Sequence, residues 1–107
     1  MEYQEEGSIV HHDGHDYDLN AIFSLVANKN VKNYSVGLLV WILDYDTPRE
    51  DRVQAADLSY PIIVTRWHNQ LVVIDGTHRL AKARCLGYQT VPGRYVTKAE
   101  LESAMID

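Results

Sequence analysis

Residues 71–79, LVVIDGTHR, constrain this chain more than any other stretch. An apolar run with strand character ends at Asp75, turns at Gly76, and continues as a helix-like segment that opens with Thr77, His78 and Arg79. A strand and a helix joined through one glycine predict an α+β arrangement. A glycine turn at a helix start also leaves backbone N–H groups pointing outward, where they favour an anion. Arg79 adds a bidentate fork suited to phosphate or carboxylate. Asp75 cannot bind an anion itself; it can take a metal ion, orient Arg79 or accept a proton. Acid, hydroxyl, imidazole and guanidinium fall within five consecutive residues, Asp75–Arg79, which makes this segment the candidate site.

Bulk properties bound the surroundings of that segment. A chain of 107 residues is expected to form one domain, residues 1–107, and its 46% hydrophobic content implies a modest core. No apolar run approaches the length of a membrane span. The start, MEYQEEGS, is acidic and lacks the hydrophobic stretch of a secretory signal. One cysteine, Cys85, excludes an internal disulfide and a multi-thiolate metal site. These features predict a cytoplasmic protein with no membrane partner. The net charge of −5 argues against nonspecific DNA binding. The distribution is uneven, however. Residues 1–28 hold Glu2, Glu5, Glu6, Asp13, Asp16 and Asp18 with no Lys or Arg, whereas residues 58–98 hold Arg66, Arg79, Lys82, Arg84, Arg94 and Lys98 against Asp75 alone. A locally basic half suits a phosphate-bearing ligand, and it equally describes a solvated basic face.

Turn and cap signals divide the chain. Asp13-Gly14 predicts a hairpin within SIVHHDGHDYD, and Asp18 an N-cap for a helix whose Leu19, Ile22, Phe23 and Val26 share a face. VKNYSV reads as a short strand and VGLLVWIL as a buried helix, by the spacing of Leu38, Leu39 and Ile42. Thr47-Pro48-Arg49-Glu50 carries a Thr cap, a first-position Pro and a Glu three residues on, predicting a helix to about Leu58. PIIVTRW and LVVID form strands around a His68-Asn69 turn. The helix from Gly76 ends near Leu86 with Gly87 as its cap, TVPGRYV is a last strand, and Thr97–Glu100 opens a C-terminal helix. The predicted architecture is α+β, with packed helices and a small mixed sheet.

The segment PIIVTRWHNQLVVIDGTHRLAKARCLGYQTVPGRYV, residues 61–96, resembles the ParB/sulfiredoxin-like superfamily. Matching residues are Pro61, Ile62, Val64, Gly76, His78, Arg79, Ala81, Ala83, Gly87 and Pro92. The resemblance implies a nucleotide-phosphate cradle at Gly76, Thr77, His78 and Arg79. Members of this superfamily bind ATP in sulfiredoxins, CTP in partition proteins and ADP in free serine kinases. Sulfiredoxins carry a nucleophilic cysteine in G-C-H-R; Thr77 stands there, and a hydroxyl cannot perform that thiol chemistry. Partition proteins carry G-E-R-R and a downstream helix-turn-helix, and this sequence has neither. The kinase pattern D-G-H-H-R is matched at Asp75, Gly76, His78 and Arg79, with Thr77 replacing the first His. Those kinases also use a distant glutamate as base; Asp44, Asp46 and Glu50 are loosely placed acids here.

Each candidate has a plain alternative. Asp75 can cap the helix, Thr77 can be a helix-start hydroxyl, and Arg79 can pair with an acidic neighbour. His78, in a first turn, is hard to read as core. Arg94 is a candidate second phosphate contact, Arg49 and Arg52 read as solvated, Trp41 and Cys85 as packing residues, and Trp67 as either core or a stacking surface. His11 and His12 point to opposite faces of a strand, which disfavours a shared metal. The expected function is binding of a nucleotide or phosphorylated small molecule, with Mg²⁺ as a candidate cofactor. If the protein is an enzyme, phosphoryl transfer or phosphate-ester hydrolysis is the class, with Asp75 and His78 as catalytic residues. A nucleic-acid-binding or nuclease module and a non-catalytic protein-interaction domain remain as alternatives.

Overall fold

The computed structural model describes residues 9–107. Glu2, Glu5 and Glu6, and the acidic start read as lacking a secretory signal, lie outside the described residues. Strands β1 (Ile9–His12) and β2 (His15–Asp18) form an antiparallel hairpin. Asp13 and Gly14 both take positive φ, 52° and 79°, as the Asp-Gly turn predicts. Helix α1 (Leu19–Val26) follows at once, and the Asp18 carboxylate accepts from the N–H groups of Asn20 and Ala21. Four further strands make a second sheet: β3 (Lys32–Ser35), β4 (Ile62–Trp67), β5 (Gln70–Asp75) and β6 (Thr90–Tyr95). Their order is β3-β6-β4-β5, with β6 and β4 parallel and the other pairs antiparallel. The mixed sheet and its packed helices are the α+β class expected. Among the described residues, no helix is long and apolar enough to cross a membrane.

Strand alternation separates two apolar clusters. Ile62, Val64 and Val73 pack with Leu39, Leu43, Leu80 and Val91. Ile63, Val72 and Ile74 pack with Ile22, Val26, Val96 and Leu101. Helix α4 (Thr77–Cys85) belongs to the first cluster. Helices α1 and α5 (Lys98–Ser103) belong to the second, α5 closed by the Thr97–Glu100 capping box that its sequence predicts. The chain end returns to the hairpin: the Asp18 N–H donates to Ala104 O, and the Ile106 N–H to Asp16 O.

Several local expectations are corrected. VGLLVWIL is not one helix. Helix α2 covers only Val36–Leu39, and a 3-10 helix, Val40–Asp44, continues it after Leu39 departs to φ −104°. That break turns Leu43 onto the core and leaves Leu38 exposed. Helix α3 spans Glu50–Ala55, later and shorter than its capping signal suggests, with Arg49 as N-cap and no side-chain cap bond. Lys82 Nζ donates to Gln54 O and Ala56 O, so a lysine from α4 satisfies the carbonyls where α3 stops. Cys85 is exposed rather than packed. Phe23 stands 44% exposed while Leu19, Ile22 and Val26 of the same helix are buried.

Candidate functional site

The sequence places the site where β5 hands over to α4, and the packing explains why a glycine is needed there. Gly76 has φ 113°, a left-handed conformation that L side chains rarely adopt. A Cβ on it would come within 2.6 Å of Ile62 Cγ2 and 2.9 Å of Ile62 Cβ, on a fully buried residue. One residue earlier the β4–β5 pairing shifts register: Ile63 faces Asp75 whereas Val64 faces Val73. This irregularity adjusts the strand end that carries Asp75. Gly76 is the N-cap of α4 and offers no side-chain acceptor, so the first-turn N–H groups of α4 receive no side-chain cap.

Asp75 does not cap the helix. Its Oδ2 accepts from Arg79 Nη2 at 3.0 Å, an i,i+4 pair whose side chains are 25% and 19% exposed. Arg79 Nη1 donates to Pro61 O at 2.8 Å and to Tyr60 O at 3.3 Å. The guanidinium fork therefore ties together the start of β4, the end of β5 and the first turn of α4. Of the two roles read for Arg79 from sequence, ligand fork and partner of an acid, the pair with Asp75 realises the second. It also makes two main-chain contacts that no sequence spacing announces.

His78 Nε2 accepts a long hydrogen bond, 3.4 Å, from the Arg49 N–H at the start of α3. That assignment puts the imidazole proton on Nδ1. Thr77 and His78, both partly exposed, open into a cleft of about 780 Å³. The cleft size lies within the range of roughly 300–1,000 Å³ usual for small-molecule sites. Asp46, Arg52 and His12 line the same cleft. Burial lowers the His12 pKa from its ordinary value against the opposing pull of Asp13, which favours the neutral imidazole.

The structure thus brings together Asp75, Gly76, Thr77, His78 and Arg79 and adds three residues from elsewhere in the chain. Of the loosely placed acids, Asp46 lines the cleft; Asp44 and Glu50 do not. Arg52, taken from sequence as solvated, sits at its edge, and Arg49 pairs with Asp51 on the surface. Nothing in the local sequence marks His12, Asp46 or Arg52 as neighbours of the turn, because the β1 hairpin and the segment around α3 meet it only through tertiary packing. Arg94 does not join this group. Its Nε donates to Lys29 O at 3.0 Å, and it lines a neighbouring cleft with Asp75 and Arg79.

Among the described residues, no three His, Cys, Asp or Glu side chains converge as a metal cage. A Mg²⁺ ion bound with a nucleotide takes only one or two protein carboxylates, the phosphates and water supplying the rest. Asp75 and Asp46 are the carboxylates that line this cleft.

Trp41 is half-buried and donates Nε1–H to Leu71 O, a packing role. Trp67 packs against the second apolar cluster and stands edge-on to His12 and His68.

No family model matches this sequence. No curated protein matches it either. Among solved structures, a sulfiredoxin from Arabidopsis thaliana superposes with a TM-score of 0.51 at 16% identity, covering 70% of this chain and 96% of that one. The chain has a sulfiredoxin-like fold.

Proposed function

We propose that this sulfiredoxin-like domain binds the phosphate groups of a nucleotide, or of another phosphorylated small molecule, at the start of α4. The observation that carries the reading is the first turn of a nine-residue helix, preceded by a glycine and lacking any side-chain cap, opening into a cleft large enough for such a ligand. The N–H groups of Thr77 and His78, the Thr77 hydroxyl and the His78 Nδ1–H are the donors for phosphate oxygens, with Arg52 at the edge. Arg79 positions the turn by holding Asp75 and the β4 entry. ATP, ADP and CTP are the nucleotides to test.

If the bound phosphate reacts, the chemistry is phosphoryl transfer or phosphate-ester hydrolysis, in which positioning and charge stabilisation do most of the catalysis. Asp75 and Asp46 are the carboxylates able to hold Mg²⁺ or to take a proton from an attacking hydroxyl or water. Mg²⁺, when bound, supplies charge neutralisation on the phosphates. His78 donates to the transferred group.

Thermal shift with ATP, ADP and CTP, each with and without Mg²⁺, tests the reading. A ligand at a hundred times its dissociation constant stabilises by about 2.7 kcal/mol. The informative variant is Thr77→Asp. An acid in the first turn favours the helix dipole and so spares the fold, yet it repels a phosphate placed there. The reading requires a nucleotide-dependent rise in Tm for the wild type and its loss in Thr77→Asp. An equal rise in both would remove the ligand from this turn.

A further inference from the structure

A second cleft, of about 510 Å³, lies where β4 begins and β5 ends, and it shares the Asp75–Arg79 pair with the first. Its composition differs. Pro61 contributes apolar surface beside the buried Val26 and Ile62, and two aromatic side chains, Phe23 and Tyr60, stand at it 44% and 64% exposed. Phe23 and Leu25 are the exposed large apolar residues of α1. Leu19, Ile22 and Val26 are buried, while the largest apolar side chain of that helix is left in water. Large apolar groups gathered at a concave, partly charged surface are a feature of binding sites rather than of ordinary exterior.

The charges of this cleft select the ligand. Its charged lining is Asp75, Arg79 and Arg94. Asp75 and Arg79 neutralise each other across 3.0 Å. Arg94 spends its Nε on Lys29 O, and among the described residues its Nη groups have no acceptor. The adjacent Lys29 ammonium is occupied by Tyr95 O and the Glu100 carboxylate. One uncompensated guanidinium beside two exposed rings calls for a flat apolar body carrying an anionic group.

We propose that this second cleft is a binding site for a small aromatic anion, whose ring rests on Phe23 and Tyr60 and whose acidic group meets Arg94. The site stands whether or not the α4 cleft takes a phosphate. Because Asp75 and Arg79 line both, a ligand here lies beside the first cleft.

Naphthalene-1-sulfonate is the probe, titrated against the protein by ¹H–¹⁵N correlation spectra, with 1-naphthalenemethanol as its uncharged counterpart. The sulfonate is expected to shift the amides around Phe23, Tyr60 and Arg94 and to bind more tightly than the alcohol. Phe23→Ala and Arg94→Gln should each weaken it by at least about fivefold, and Tyr60→Ser, on a side chain already in water, should weaken it with no change in Tm. Leu86→Ala, an exposed apolar side chain outside this cleft, should leave it unchanged. The proposal is overturned if Phe23→Ala and Tyr60→Ser bind as the wild type does, if the alcohol binds as tightly as the sulfonate, if the shifts centre elsewhere, or if no shifts occur. Nucleotide-induced thermal shift separates the two clefts: Phe23→Ala should keep the wild-type shift, and absence of that shift from the wild type refutes the α4 site alone.

Discussion

Replacing Gly76 by alanine is the sharpest perturbation of the β5–α4 turn. The added methyl meets Ile62 Cγ2 at 2.6 Å, where an unstrained carbon contact needs about 3.5–4.0 Å. Ile62 has no exposed surface and is held within the first apolar cluster, so relief requires its neighbours to shift. Overpacking of this kind costs about 1–3 kcal/mol. A non-glycine residue held at φ 113° adds about 1–3 kcal/mol of backbone strain. The sum, about 2–6 kcal/mol, lowers Tm by roughly 10–50 °C in a domain of this size, at about 4–8 °C per kcal/mol. Gly14→Ala is the control: its φ is 79° but nothing lies within 4 Å of the added methyl, so only strain of about 1–2 kcal/mol applies. Differential scanning calorimetry of both variants measures the two contributions. Ile62→Leu removes the γ2 methyl and should recover part of the loss in Gly76→Ala, whereas Ile62→Val keeps that methyl and should not. If Gly76→Ala melts no lower than Gly14→Ala, the packing argument for this turn is wrong.

Arg79→Ala should destabilise the fold by about 1–3 kcal/mol in urea denaturation, because it strands the Asp75 carboxylate and the Pro61 and Tyr60 carbonyls; a stability equal to wild type would return Arg79 to the role of a free ligand fork. Glu100 accepts from Lys29 Nζ and from the Thr97 N–H, and these bonds hold its carboxyl below the ordinary 4.5. A depressed folded-state pKa means stability that is present above the unfolded value and lost as pH falls through the folded one. Stability should therefore decline below about pH 4.5, and Glu100→Gln should flatten that part of the profile while lowering stability at pH 7. Thr65→Val removes a buried hydroxyl that donates to Val96 O at 2.7 Å and should cost about 1–3 kcal/mol, read as a lower urea midpoint with an unchanged slope.

Features set by neighbours in sequence were legible from sequence. The Asp13-Gly14 and His68-Asn69 turns need positive φ, and their residue types announce it. Asp18 and Thr97 cap their helices as their spacing predicts. The turn at Gly76 was found for the same reason. What escaped were assignments decided by distant partners. Thr47 and Pro48 carry a helix-start signal, but α3 begins only after Arg49, whose N–H reaches the His78 imidazole across the fold. The basic balance of residues 58–98 suggested a phosphate-binding face, yet Arg79, Lys82 and Arg94 each donate to main-chain carbonyls of other segments. Counting charges could not reveal this, because carbonyl acceptors carry no signature in the sequence. Phe23 sits at helical spacing for the core and lies outside it, because α1 turns its buried stripe through Leu19, Ile22 and Val26 alone.

Phosphate binding at this turn depends on the uncapped N–H groups at the start of α4. Amide chemical-shift mapping with ATP and Mg²⁺ tests that claim residue by residue. The largest shifts are expected at Gly76, Thr77, His78 and Arg79, with smaller ones at Asp46 and Arg52, and all should disappear in Thr77→Asp. Shifts confined to other surfaces, or none with any nucleotide, would contradict it.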